Sequence, residues 1–123
     1  MEHIRVNESE FQFLQILWDI EPCSQPELAA RCQEKLGWKR TTTYTVIKRL
    51  VKKEAVQIEG RQVRALISRQ KAQEEEIENL MEKKFSNSVP SFLAAFTRKV
   101  HLSRDDVDEL QKMIDEIRKE NSK

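Results

Sequence analysis

The chain has 123 residues, of which 35% are charged and 38% are apolar, and its 22 Lys and Arg residues nearly balance its 21 Asp and Glu residues. A chain this short and polar cannot bury one thick core, so we expect small cores that are completed by self-association. No segment approaches the ~20 apolar residues of a membrane-spanning helix, and the N-terminus lacks a signal-peptide pattern. We therefore expect a cytoplasmic protein rather than a membrane or secreted one.

The cysteine and glycine content excludes several kinds of site. Cys23 and Cys32 are too few for a disulfide scaffold, and no histidine stands at a zinc-site spacing from them. Gly37 and Gly60 are the only glycines, which excludes a glycine-rich phosphate-binding loop. We predict neither a metal site nor a cofactor, and with so few helix breakers a mainly α-helical fold.

Apolar spacing predicts three N-terminal helices. The first covers residues 8–20, the second begins at a capping box of Ser24 and Glu27 and ends at Gly37, and the third covers residues 41–53. The residues predicted to face inward are Phe11, Leu14, Leu17 and Trp18 in the first helix, Leu28, Ala29, Cys32 and Leu36 in the second, and Val46, Ile47, Leu50 and Val51 in the third.

The apolar period changes to two after the third helix. Val56 and Ile58 alternate with polar residues, Gly60 lies at a turn, and Val63 and Ala65 alternate again. This pattern predicts a β-hairpin. Three helices followed by a hairpin is the order of a winged helix-turn-helix, in which the hairpin is the wing. We predict a winged-helix DNA-binding domain over residues 1–69.

Residues 70–123 are predicted to form a helical dimerisation domain. A polar helix over 70–85, a short apolar helix over 91–100 and a last helix capped by Ser103 follow from the pattern. Apolar residues in the last helix repeat at three, four and three, which is a narrow seam of the kind that meets another helix. The predicted dimer interface consists of Leu80, Phe92, Leu93, Phe96, Val107, Leu110, Ile114 and Ile117.

Positive charge is concentrated in one segment. Residues 35–69 contain ten basic and two acidic side chains, a net charge of +8. Thr42, Thr45 and Arg49 share one stripe of the third helix, so we predict that they read DNA base edges. The predicted phosphate contacts are Arg40, Thr41, Lys48, Lys52, Arg61 and Arg64. A solvated helix face and, for the two hairpin arginines, a charged strand edge are the alternatives.

The segment from Trp38 to Lys53 resembles the penicillinase repressor family, the winged-helix repressors of β-lactamase and methicillin-resistance genes and their copper-responsive relatives. The family pattern of Trp, Thr-x-x-Thr and Arg-Leu-x-x-Lys is matched by Trp38, Thr42, Thr45, Arg49, Leu50 and Lys53. Glu10 and Leu17-Trp18 also fit the first helix of the family, and Leu102-Ser103 and Glu109-Leu110 fit its last. The resemblance implies a homodimeric repressor whose winged helix binds one half of a palindromic operator.

The resemblance also implies regulation by proteolysis. A membrane metalloprotease sensor pathway would trigger cleavage of the bond between Ala95 and Phe96. Three features depart from the family pattern. Ala95 stands where the best-known members have Asn, Glu54 stands where the family usually has Gly, and no cysteine follows Cys32. Sensing of Cu(I) by thiolates is therefore not expected.

Two other classes of function are weighed against the repressor. A winged helix can bind a protein instead of DNA, without sequence-specific DNA binding, but the charged segment disfavours this because interface cores are depleted of charge. An enzyme is not predicted, because the only dense carboxylate group has no accompanying histidine or nucleophile. That group consists of Asp105, Asp106, Asp108 and Glu109.

Overall fold

The computed structural model describes residues 4–122, which form six helices and one β-hairpin. The elements in chain order are α1 (Glu8–Ile20), α2 (Gln25–Leu36), α3 (Arg40–Lys52), β1 (Val56–Glu59), β2 (Gln62–Ala65), α4 (Arg69–Lys84), α5 (Val89–Lys99) and α6 (Arg104–Asn121). Three helices followed by an antiparallel hairpin confirm the predicted winged helix. None of the helices in residues 4–122 combines the length and the apolar character needed to cross a membrane.

Helices α1 and α2 begin at side-chain caps. Asn7 and Glu10 form a complete capping box at the start of α1, which the sequence analysis did not predict. At α2 only one bond of the predicted capping box forms, in which the Ser24 hydroxyl accepts from the backbone N–H of Glu27. Gly37 ends α2 in the left-handed conformation with φ +72°, as predicted.

The core lies between α1, α2, α3 and the base of the hairpin. The prediction was wrong for Val51, which is 38% exposed because it lies on the outer side of the last turn of α3. Cys32 is completely buried, as expected of a small apolar residue. The buried cluster consists of Phe13, Leu14, Ile16, Leu17, Cys23, Leu28, Cys32, Val46, Ile47, Leu50, Ala55, Val56, Val63, Ile67 and Ala72.

The wing is anchored to the helices by backbone hydrogen bonds. Strands β1 and β2 pair in register from Val56 with Ala65 to Glu59 with Gln62, and Gly60 provides the positive φ of the two-residue turn. Val63 also exchanges backbone hydrogen bonds with Cys23, just before α2. The inward alternation predicted for β1 stops early, because Ile58 is 39% exposed near the tip.

The chain divides into two compact units between Leu80 and Met81, within α4. Ala72 is buried in the core of the first unit, which explains why the first turns of α4 belong to that unit. The guanidinium of Arg69 lies over the ring of Trp18 and forms an ion pair with Asp19 at 3.2 Å. The functional assignment to residues 1–69 and 70–123 stays a prediction.

The second unit has helices but no buried residue in the part described. Helix α5 begins at Val89, two residues before the predicted start, because Ser88 caps it and Pro90 is accommodated in its first turn. Ser103 and Asp106 form a capping box at the start of α6. Among residues 81–122 no side chain is buried, although Phe92 packs against Phe85 and Phe96.

Candidate nucleic-acid interface

The exposed face of α3 forms an open pocket with the residues around it. Thr42, Thr45 and Arg49, the three predicted base-reading residues, all line this pocket, whose volume is about 380 Å³. The other lining residues are Ser9, Trp38, Thr41 and Val46. The threonine side chains give the pocket small polar groups and methyl groups, and Arg49 supplies positive charge at the edge. Such a surface can offer hydrogen bonds and apolar contacts to base edges.

The hydroxyl group of Thr45 donates a hydrogen bond within α3. Its Oγ1 donates to the backbone carbonyl of Thr41 at 2.9 Å. The remaining lone pairs of Thr45 can accept a hydrogen bond, and its methyl group is free to contact an apolar atom. In this arrangement Thr45 is suited to the exocyclic amino group of a base or to the methyl group of thymine.

Trp38 is a packing residue at the entry to α3. Its ring stacks on that of Phe13, with a centroid distance of 6.4 Å and an interplanar angle of 4°. Phe13 is completely buried in α1. The indole thus fixes the turn between α2 and α3 against the core and forms one wall of the pocket.

A buried carboxylate joins α1 to α3 beneath this surface. Glu10 is completely buried, and its Oε2 accepts from Nε of Arg49 at 2.6 Å. Its Oε1 accepts from Nζ of Lys53 at 2.7 Å and from the backbone N–H of Asn7 at 2.9 Å. Arg49 and Lys53 are one helical turn apart, so both side chains reach the same carboxylate.

The partners of Glu10 keep it ionised. Burial by itself raises the pKa of this carboxyl group, because a charged group loses hydration in the core. The hydrogen bonds from Lys53, from the Asn7 backbone and from Arg49 outweigh that effect and hold the pKa of Glu10 below its ordinary value of 4.5. At neutral pH the site holds one buried anion between two cations.

The predicted phosphate-binding residues are exposed on two elements. Arg40, Lys48 and Lys52 lie on α3, Arg61 lies in the hairpin turn, and Arg64 lies on β2. Their side chains do not line the pocket described above, whereas Thr41 does. Contact of these residues with phosphate stays a prediction.

The sequence analysis predicted neither the ion pairs of Glu10 nor the position of Ser9 in the pocket lining. The pattern Asn7-x-x-Glu10 is a helix-start signal that could have been noticed. It would have given the cap of α1 but not the ion pairs with α3, because these join residues 39 and 43 positions apart.

The carboxylate group in α6 has a structural role. Asp106 accepts at the cap of α6, and Glu109 forms an exposed ion pair with Lys112 at 3.6 Å. Within residues 4–122 no three His, Cys, Asp or Glu side chains come together in a way that could hold a metal ion.

Comparison with known proteins decides the family. A model described as penicillinase repressor matches residues 6–116, which is most of the chain. The chain belongs to the penicillinase repressor family. This is a family of DNA-binding transcriptional repressors and not of enzymes. No match was found among curated proteins. The matched region includes the winged helix and most of the C-terminal helices.

Proposed function

We propose that this penicillinase repressor family member is a homodimeric, sequence-specific repressor that binds a palindromic operator in the cytoplasm. The observation that carries the proposal is the pocket on α3, where Thr42, Thr45 and Arg49 come together on an exposed surface. This surface lies in the segment of net charge +8. Phosphate contacts from α3 and the wing would position the protein, and the pocket residues would read the sequence.

The C-terminal helices support the dimer. In the described part of the second unit no residue is buried, yet α6 presents a row of apolar side chains. Ile114 and Ile117 are 46% and 54% exposed in the single chain. A helix with such a seam is stabilised by burying it against another helix. A second copy of the chain supplies that helix and places two winged helices on two half-sites.

The proposal extends to regulation through the family resemblance. A membrane metalloprotease sensor pathway would end repression through cleavage between Ala95 and Phe96. This bond lies within α5, where Phe96 packs on Phe92. Cleavage there would separate α6 from the winged helix and so remove the part of the proposed dimer interface that α6 contributes.

Substitution of Arg49 tests the reading surface. We expect Arg49→Ala to weaken operator binding by about 1–3 kcal/mol and to relax base preference at one position of each half-site, because a bidentate contact is lost. The measurement is footprinting on the promoter region of the chain's own gene, followed by titration over a salt series.

Lys52→Ala is the matched control from the same helix. It should weaken binding to all sequences alike and lower the slope of log affinity against log salt by about 1, because a phosphate contact carries no sequence information. Unchanged operator affinity in Arg49→Ala would contradict the assignment of the reading surface. Absence of duplex binding by the wild type at low salt would favour the protein-interaction module instead.

A further inference from the structure

An ion pair with the buried Glu10 fixes the Arg49 guanidinium on its core side. Its Nε donates to Glu10, a carboxylate that is itself fixed by the Asn7 backbone and by Lys53. The Glu10 side chain is completely buried, whereas that of Arg49 is 42% exposed. The ion pair thus connects a fixed anion in the core to a cation at the surface of the pocket.

This contact determines which donors of Arg49 remain for a ligand. A guanidinium group is planar, so fixing Nε–H fixes the direction of the two terminal nitrogens. Within residues 4–122, neither Nη1 nor Nη2 of Arg49 has a hydrogen-bond partner. Arg49 shares the pocket with Thr42 and Thr45, so its free end belongs to the predicted reading surface.

The free end of Arg49 matches one base. Guanine presents two acceptors, O6 and N7, on its major-groove edge, and two parallel N–H groups of an arginine can bond both. A contact through Nε and one terminal nitrogen is blocked here because Nε is bonded to Glu10. Fixing the side chain before binding also lowers the entropy lost on binding.

We propose that Glu10 is a positioning residue that presents Nη1 and Nη2 of Arg49 end-on to a guanine in each half-site. The inference rests on the proposed function. It means that a buried residue of α1 contributes to the base specificity of α3. Glu10 itself touches no DNA.

Selection from a random duplex library tests this role without a known operator. The library has a random central segment of about two helical turns, and bound and unbound duplexes are sequenced for each variant. The position that Arg49 reads is the one whose guanine preference disappears in Arg49→Ala. Wild-type protein should prefer guanine there by about 5- to 150-fold, the range that a bidentate contact provides.

Glu10→Met should lose most of that preference while keeping overall duplex binding, because methionine fills a similar volume but offers no oxygen to accept from Nε of Arg49, which is then free to rotate. Glu10→Asp is the second variant. It keeps the buried charge but shortens the side chain by one methylene group, and we expect the same loss. Far-UV circular dichroism checks that each variant is folded.

Lys53→Met is the matched control. It removes the other ion pair of Glu10 at 2.7 Å and leaves the contact with Arg49 intact, so guanine preference should be retained. A purely structural role of Glu10 would make this variant lose preference as well. In an Arg49→Ala background, Glu10→Met should produce no further change in base preference.

Two sets of results separate the possible failures. The positioning role would be overturned by retained guanine preference in folded Glu10→Met or Glu10→Asp, by its loss in Lys53→Met, or by further relaxation in the double variant. The repressor proposal would stand in each of these cases. A wild-type protein that selects no sequence would instead overturn the proposed function.

Discussion

Glu10 is a charged residue in the core, and its surroundings explain why the fold accepts it. An ionised carboxylate without partners is strongly disfavoured in a protein interior. Here the two oxygens accept three hydrogen bonds, from Arg49, from Lys53 and from the Asn7 backbone. Both cations retain solvent access, so only the anion loses its hydration completely. The arrangement ties the start of α1 to the end of α3.

The stabilisation from Glu10 depends on pH. Because the pKa of Glu10 lies below 4.5 in the folded state, the unfolded chain binds more protons as the solution is acidified. The contribution is therefore complete above about pH 5 and is lost as the pH falls through the folded-state pKa. We expect Glu10→Gln to lower the free energy of unfolding at pH 7 by about 1.5–3 kcal/mol, the range for a hydrogen bond to a charged group.

Urea denaturation at a fixed protein concentration, at pH 7 and at several acidic pH values, measures this dependence. The difference between wild type and Glu10→Gln should shrink on acidification. Glu8→Gln is the control, because it removes an exposed carboxylate from the same helical turn and should change stability by less than about 0.5 kcal/mol. A difference that is constant or grows as the pH falls would show that the Glu10 pKa is not lowered.

Individual residues differ in how far the sequence predicts them. Thr42, Thr45 and Arg49 can be placed on one surface because helical periodicity relates residues three and four apart. The ion pair between Arg49 and Glu10 cannot be predicted in this way, because it depends on the angle at which α1 and α3 pack. Arg49 accordingly has a contact inside the protein that its exposed position did not suggest.

At the level of elements, the end of α3 has an unusual residue. The N–H of Ala55 donates to the carbonyl of Leu50, and the N–H of Glu54 donates to that of Val51. These two bonds define a Schellman motif, whose left-handed position usually holds glycine. Glu54 occupies it with φ +63°. The turn into the wing thus keeps the geometry of a glycine although this chain has a glutamate there.

Replacing Glu54 should relieve this strain. A side chain in the left-handed region costs about 1–2 kcal/mol, part of which is offset by the greater freedom of glycine in the unfolded chain. We expect Glu54→Gly to raise the free energy of unfolding by up to about 1 kcal/mol, as measured by urea denaturation at pH 7.

Glu54→Ala separates backbone strain from charge. Alanine keeps the Cβ atom and removes the carboxylate, so stability should change by less than about 0.5 kcal/mol. Equal stabilisation by alanine and glycine would mean that the charge of Glu54, and not its backbone conformation, is responsible.

Helix boundaries were predictable where a local signal marks them. Gly37 and Ser103 identify the end of α2 and the start of α6, because capping depends on residues close in sequence. The start of α5 lies two residues before the predicted one, because Ser88 caps the helix and proline is tolerated in the first helical turn. The bridge between Cys23 and Val63 is a contact across the fold that no local pattern indicates.

For the whole molecule, association is the property to test. We expect Ile117→Glu to dissociate the proposed dimer, because a carboxylate in the α6 seam would lose its hydration without a partner. Sedimentation equilibrium measures the mass, and DNA titration should show single half-site binding. Lys119→Glu introduces the same side chain on the opposite side of α6 and should leave the dimer intact.

A monomeric wild type at micromolar concentration, or dissociation by Lys119→Glu to the same extent as by Ile117→Glu, would contradict the proposed interface. The sequence predicts this seam from its spacing of three and four, since such a period of apolar residues is typical of a helix that packs against a partner helix. It does not show which helix of the second chain is the partner, because that choice depends on packing between two copies.

The absence of a buried side chain among residues 81–122 has a consequence for the response of the repressor to its own abundance. In the proposed dimer, ordering of these helices and pairing of two chains form one equilibrium, so the dimer concentration rises with the square of the monomer concentration when chains are scarce. Dilution during growth or a brief stop in synthesis then lowers operator occupancy more than proportionally. The amount of the protein itself thereby becomes a regulatory input.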